Sequence, residues 1–226
     1  MAEKKEKLPE YRTPKGVVKW ANVMTPQTEI KAKGETKPVD PNYNIQLLFD
    51  PNDAAVLTMQ ALIVGLHEKA YAAAAKEAGK KKLIDTGLTN CFFDDMTKDG
   101  EPTGKIAFKF KHKAGGVRRD KTAWAFRPPV FDRVGTPIPL GTIVFGGSVA
   151  AVSFQVKHNA MDTGMFYTSL SLQATVVYVL KEAFSRDASS FGFELETEEA
   201  QTPFGEQQEN AGGERGDQHT PVSTDF

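Results

Sequence analysis

The residue types best suited to chemistry are concentrated in one segment, 105–133, which combines positive charge with aromatic rings. Lysine and arginine neutralise phosphates and release counterions, and aromatic faces stack on bases at roughly 1–3 kcal/mol per base. A protein that binds single strands without sequence preference needs both features. The segment holds only two acids, Asp120 and Asp132, against nine basic residues: Lys105, Lys109, Lys111, Lys113, Arg118, Arg119, Lys121, Arg127 and Arg133.

The first part of this segment alternates in the way of a half-buried strand. In 105–113 the apolar Ile106, Phe108 and Phe110 fall on one face, and the lysines fall on the other. Lysines alone would also fit a merely solvated face. Arg118, Arg119 and Lys121 follow at a predicted Gly115-Gly116 turn, from which they can reach across a groove. The whole segment therefore predicts contact with nucleic acid.

Four aromatic residues are candidates for stacking on bases: Trp20, Tyr43, Trp124 and Tyr167. Tyr167 falls on the polar face of a predicted strand, which is unusual for a ring without a partner. Trp20 shares a face with Val18, so it fits the core as well as a stacking platform. Lys19 falls on the opposite face and is predicted to point to solvent or phosphate.

The elements that must position these residues are mostly strands. Apolar alternation and turn residues predict strands at 16–24, 43–49, 105–113, 123–126, 143–157 and 166–180, with a loop at 25–41 and an irregular stretch at 83–104. One helix follows Asn52 or Asp53, carries an apolar stripe from Val56 to Ala70 and ends at Gly79. No βαβ repeat occurs, so the sequence predicts a mainly β protein built on a small, partly open antiparallel barrel.

The end of the chain has the opposite charge from the rest. Residues 192–226 hold nine acidic residues and one basic residue, Arg215, whereas 1–191 carry a net charge of +7. Such a tail cannot bury enough apolar area to fold alone. We predict a flexible N-terminus at 1–12, one folded domain at 13–191 and a disordered acidic tail at 192–226.

The tail ends in Asp225, Phe226 and the free carboxylate. An acidic segment with a terminal aromatic can dock into a basic pocket of a partner protein. It can also occupy the cationic groove of its own body as a mimic of DNA. A third interpretation is an inert solubilising tail, although a solubiliser needs no aromatic ring at its end.

Other classes of protein are disfavoured. The four histidines have no cysteine or histidine at metal-ligand spacing, and no nucleophile elbow or phosphate-binding loop occurs, so we predict no enzyme activity, metal or cofactor. The single cysteine, Cys91, excludes an internal disulfide framework. No apolar run is long enough to span a bilayer, and the charged start lacks the apolar stretch of a signal peptide.

The order of these segments resembles the single-stranded DNA-binding proteins of tailed bacteriophages. The resemblance is carried by KWANVMTP, YNIQLLFDPND, HEKAYAAAAKEAG, IAFKFK, VFGGSVAAVSFQV and FYTSLSLQATVVYVL, and by the terminal Asp225-Phe226. It implies a five-stranded OB fold with one main inserted helix. It also implies a role in phage replication, recombination and repair in the host cytoplasm, with the tail contacting a DNA polymerase or other replication proteins. Such proteins are often homodimers and can anneal strands.

The first hypothesis is therefore non-sequence-specific binding of single-stranded DNA by these residues. A second is a phage structural or assembly protein that uses the barrel as a protein-interaction module and needs no cationic groove. A third, an enzyme of nucleotide metabolism, lacks any visible acid–base or metal set.

Overall fold

The computed structural model describes residues 7–32, 35–79, 83–118, 120–161 and 163–181. These residues form one helix and eleven strands. In chain order the elements are β1 (Tyr11–Arg12), β2 (Gly16–Ala32), β3 (Glu35–Phe49), α1 (Ala54–Ala78), β4 (Ile84–Asp85), β5 (Phe92–Met96), β6 (Pro102–Lys113), β7 (Gly115–Val117), β8 (Ala123–Ala125), β9 (Val130–Asp132), β10 (Val149–Ala160) and β11 (Met165–Val179).

Five long strands close into a barrel. The order β2–β3–β6–β11–β10 returns to β2 through the pairing of Val149 with Val17. The contact between β6 and β11 is parallel, at Phe110 and Leu170, and the other four pairings are antiparallel. This strand order is that of the OB fold, which confirms the predicted fold class. The ring is closed, however, and one of its contacts is parallel, unlike the partly open antiparallel barrel predicted from the pattern.

The barrel interior is filled by large apolar side chains. Ile45, Leu47, Phe108, Phe110 and Phe154 have no exposed surface. Burying a side chain of this size stabilises a fold by about 1.5–3 kcal/mol, so these positions fix which way each strand faces. The predicted inward orientation of Phe108 and Phe110 is confirmed, and the intervening lysines of β6 must therefore face outward.

Helix α1 is inserted between the second and third strands of the barrel. Asp53 caps it by accepting a 2.7 Å hydrogen bond from the amide of Ala55, and Gly79 ends it at a positive φ of 59°. Its buried face is formed by Val56, Met59, Ile63 and His67. His67 lies within the span of the apolar stripe predicted from the sequence, although it is not apolar. Among the described residues, no helix is long and apolar enough to cross a membrane.

Two segments predicted to lack regular structure form strands. The predicted loop at 25–41 is a hairpin in which β2 and β3 continue past the barrel, with Ile30 opposite Lys37. Residues 28–30 and 35–38 of this hairpin are exposed. The hairpin is therefore stabilised by backbone pairing of β2 with β3, and its sequence shows no apolar alternation. The predicted irregular stretch at 83–104 contains β4, β5 and the start of β6.

Gly146 and Gly147 fall within the strand predicted at 143–157, but in the structure they lie before β10. Gly147 has a φ of 89°, and its amide donates a 2.7 Å hydrogen bond to the carbonyl of Val18. A Cβ on Gly146 would lie 2.7 Å from the carbonyl oxygen of Lys19. Glycine is needed at both positions because the turn passes against the backbone of β2, where the barrel closes.

A bulge reverses the faces of β11. Phe154 pairs with Leu172 and Ser153 pairs with Ala174, so Gln173 is the extra residue. Beyond it Thr175 and Val177 are buried, whereas uninterrupted alternation from Leu170 and Leu172 would bury Ala174 and Val176. The predicted domain boundary at 191 lies outside the described residues, which belong to one compact unit, Met1–Ala183.

Candidate nucleic-acid interface

A groove of about 530 Å³ crosses the outer face of the barrel at β6, β11 and β10. Its charged members are Lys109, Lys111, Lys113 and Lys157, and its aromatic members are His112, Trp124 and Tyr167. The remaining lining residues are polar, apart from Leu170. They are Asn90, Asn159, Ser169 and Ser171.

A second depression, of about 270 Å³, continues the groove toward the β2–β3 hairpin. The two share Lys109 and Lys111, so they form one surface, which we call the cationic track. The second depression adds Trp20, Ile30 and an amide cluster of Asn22, Gln27, Asn42 and Asn44. None of the residues lining either depression is acidic.

Strand pairing aligns the side chains of the track in rows. Lys111 lies opposite Asn44 on one side, and Asn44 lies opposite Asn22. On the other side of the groove, in β11 and β10, Ser169 lies opposite Lys157. Neighbouring strands are about 4.8 Å apart, so a row offers hydrogen-bonding or charged groups at regular steps across the barrel.

Two lysines of the track, Lys111 and Lys157, have lowered pKa values. Partial burial and the charges of Lys109 and Lys113 lower the pKa of Lys111, against the opposing effect of Asp40. Burial also lowers the pKa of Lys157. Both directions mean that the charged ammonium is less well stabilised here than in water. An anion bound in the track would reverse that, since it would offset the repulsion between the lysines.

An aromatic cluster lies at one end of the track. The centroid of the His112 ring is 3.9 Å from the centroid of the Phe126 ring and 6.2 Å from that of the Trp124 ring, which His112 meets edge-on. Burial and the charge of Lys157 lower the pKa of His112, although its hydrogen bond with the carbonyl of Lys113 opposes the shift. The cluster supplies ring faces beside the lysines.

The predicted Gly115-Gly116 turn is instead strand β7, and the turn lies beyond it. The amide of Arg118 donates a 2.9 Å hydrogen bond to the carbonyl of Thr122, and Lys121 has a φ of 65°. Arg118 and Lys121 therefore lie at the tip of the β7–β8 hairpin, whose Trp124 lines the track. Arg119 lies outside the described residues.

Four predicted contacts do not line the track. The ammonium of Lys19 lies 5.4 Å from the centroid of the Trp20 ring but hydrogen-bonds to the carboxylate of Asp95, and the charge of Lys105 also acts on Asp95. Tyr43 is only 7% exposed and faces the core. Arg127 donates a 3.3 Å hydrogen bond to the carbonyl of Met24. The predicted tail residues Asp225 and Phe226 lie outside the described residues.

Several lining residues were missed by the sequence analysis, most importantly Lys157. It is the last residue of a predicted strand in which Phe154 and Val156 face inward, so continued alternation would have placed it outside. Asn44 and Ser169 gave no such signal, because neutral polar residues on an outer face are common. His112 gave none because the alternation of 105–113 places it on the apolar face.

A second polar cluster lies inside the fold. Thr168 shares its hydroxyl between His67 at 2.7 Å and His158 at 2.9 Å, and His67 also contacts Asp85 at 3.0 Å. Burial raises the pKa of the nearby Cys91 thiol to about 12, which leaves it unreactive. No group of three or more possible metal ligands occurs among the described residues.

The fold and the track define a basic OB-fold barrel, and solved structures share this fold. The crystal structure of gp2.5, a single-stranded DNA-binding protein encoded by bacteriophage T7, is 20% identical over 85% of this chain and 97% of its own, with a TM-score of 0.60. The single-stranded DNA-binding protein of bacteriophage Enc34, in complex with single-stranded DNA, is 12% identical over 78% of this chain and 89% of its own, with a TM-score of 0.51. No family model and no curated protein matches the sequence.

Proposed function

We propose that this protein binds single-stranded DNA without sequence preference along the cationic track. The observation that carries the proposal is a continuous surface without an acidic lining residue, formed by four lysines and the exposed or half-buried rings of Trp20, His112, Trp124 and Tyr167. Lys109, Lys111, Lys113 and Lys157 bind phosphates, and Trp20, Trp124 and Tyr167 stack on bases. That the similar Enc34 protein is solved with single-stranded DNA supports this proposal.

The division of labour follows from the chemistry of the two sets of residues. Ammonium groups neutralise phosphates whatever the base, and a ring face accepts any base. The contacts therefore require unstacked bases, which a duplex does not offer. Arg118 and Lys121 at the hairpin tip extend the positive surface beside Trp124.

The test is a salt titration with two ligands of equal length. We expect an oligo-dT strand to bind in the nanomolar-to-micromolar range, with an affinity that falls as salt rises. Each neutralised phosphate contributes about −0.7 to the log–log slope for single strands. A duplex is expected to bind more weakly. An affinity insensitive to salt, or a preference for the duplex, would overturn the proposal.

We further propose that the protein acts in phage replication, recombination and repair in the host cytoplasm, and that its acidic tail recruits replication proteins and competes with DNA. The opposite charges of residues 1–191 and 192–226 support the competition. Deletion of 192–226 is expected to raise the affinity for oligo-dT roughly tenfold at low salt, because a competing anion is removed. Unchanged or weaker binding by the deletion variant would argue against competition.

A further inference from the structure

One side chain on the outer face of the barrel is buried without a partner. Gln46 lies in the middle of β3, between the inward-facing Ile45 and Leu47, so its side chain points outward. By strand register it lies between Trp20 of β2 and Lys109 of β6. Gln46 is 0% exposed, and neither its Nε2 nor its Oε1 has a hydrogen-bond partner among the described residues.

The amides next to it on the same face are satisfied. Asn44 donates to Gln27 at 2.8 Å and to Asn42 at 3.0 Å, and it accepts from Asn22 at 3.3 Å. A buried polar group without a partner destabilises a fold, and replacing it by an apolar group of similar shape is neutral or stabilising. The amide of Gln46 therefore adds nothing to the stability of the barrel, which points to a role toward a ligand.

The two neighbours of Gln46 suggest which ligand. Trp20 is 49% exposed and offers a ring face, and Lys109 lines both parts of the track. A primary amide presents a donor and an acceptor side by side, which matches the edge of an unpaired base. We propose that Gln46 is a base-contacting residue: its amide pairs with the edge of a base that stacks on Trp20, while Lys109 binds the adjoining phosphate.

This inference rests on the proposed binding of single-stranded DNA. It requires the side chains that cover Gln46 to move when a base enters, because the amide is shielded from solvent in the free protein. A duplex cannot use this contact, since a base that is stacked within a duplex cannot also stack on Trp20.

The test compares Gln46→Met with wild-type protein on a 20-nucleotide oligo-dA strand and on an abasic strand of the same length. We expect the melting temperature to be unchanged or higher, and the affinity for oligo-dA to fall roughly 5- to 100-fold. The salt slope is expected to stay the same, because no phosphate contact is lost. Binding of the abasic strand is expected to match that of wild-type protein.

A matched control is Thr175→Val. Thr175 is also 0% exposed with an unpartnered side-chain oxygen, but it faces the core. This variant should bind both strands as wild-type protein does. Equal binding of oligo-dA by Gln46→Met and wild-type protein would overturn the inference and leave the proposed function intact. An equal loss on both strands would also overturn it, since the base would then be irrelevant. Failure of wild-type protein to bind any single strand would overturn the proposed function itself.

Discussion

Two groups of lysines lie on the outer face of the same barrel and have different surroundings. Lys19 meets Asp95, a carboxylate that is 3% exposed and also accepts a 2.8 Å hydrogen bond from Thr103. In the cationic track, Lys109 and Lys111 are bordered by amides, hydroxyls and rings. Lys19 is paired with a buried carboxylate, whereas Lys109 and Lys111 repel each other electrostatically.

The difference shows that a buried carboxylate nearby determines whether the ammonium of an outward-facing lysine is paired within the protein or left to bind an external anion. Lys113 is the intermediate case, because its 3.0 Å contact with Asp40 is exposed on both sides. Exposed pairs of this kind are worth about 0–1 kcal/mol, so a phosphate can displace Asp40 at little cost.

The sharpest test of the comparison reverses two track charges. In the double variant Lys109→Glu/Lys111→Glu we expect the affinity for oligo-dT to fall roughly 100-fold or more, and the log–log salt slope to shrink by about 1.4, because two phosphate contacts are lost. Fluorescence anisotropy across a salt series measures both. Lys69→Glu on the exposed side of α1 is the control and should bind as wild-type protein does. Similar losses in both variants would show that net charge, and not the track, governs binding.

A second test removes the ammonium of the ion pair. Lys19→Met leaves the buried carboxylate of Asp95 with its hydrogen bond from Thr103 but without the ammonium, so the free energy of unfolding should fall by about 1–3 kcal/mol. Oligo-dT affinity should change little. Chemical denaturation measures the first quantity and anisotropy the second. A variant that is stable but loses DNA affinity would return Lys19 to the interface.

The same pair predicts how stability depends on pH. Burial is the largest single effect and raises the pKa of Asp95. Hydrogen bonds from Lys19 and Thr103, together with the charges of Lys19 and Lys105, lower the pKa by more than burial raises it, so the net shift is downward. A carboxylate whose pKa is lowered by folding adds stability above its unfolded value near 4. That contribution is lost as pH falls through the folded value. Wild-type protein should therefore lose stability in this acid range more steeply than Lys19→Met, which denaturation at a series of pH values would show.

The smallest expected effect concerns His112, whose pKa is lowered by burial and by Lys157. The ring is neutral at pH 7 and gains a proton only below its ordinary value of 6.5. A further cation then joins the track, so oligo-dT affinity should rise roughly twofold to fivefold between pH 7.5 and pH 5. In His112→Gln that pH-dependent gain should disappear. If the variant keeps it, another group titrates.

The sequence alone predicted the parts of the molecule that depend on local alternation. Phe108 and Phe110 inside and the lysines of β6 outside follow from a period of two. The residue types predicted a helix cap at Asn52 or Asp53, and the structure places it at Asp53. Tyr43 was assigned wrongly although the pattern was available, because Tyr43, Ile45, Leu47 and Phe49 share one face of the strand, opposite Asn44 and Gln46. The β2–β3 hairpin was missed because its exposed residues carry no pattern.

The remaining differences depend on contacts between distant segments. Asp95 lies 76 residues from Lys19, so no local pattern reveals that the two meet. The bulge at Gln173 reverses the faces of β11 through its partner β10, and only the pairing shows it. Lys157 joins Lys111 for the same reason, since closure of the barrel brings together strands that are far apart in sequence.

The parallel junction of β6 with β11 has a mechanical consequence. It contains one paired position, Phe110 with Leu170, whereas β10 and β11 pair along most of their length. The track runs directly above this weakest seam. A single strand of DNA bound across this junction would contact both β6 and β11 and so stabilise their association. The backbone amide protons of both strands should therefore exchange more slowly with solvent when DNA is bound.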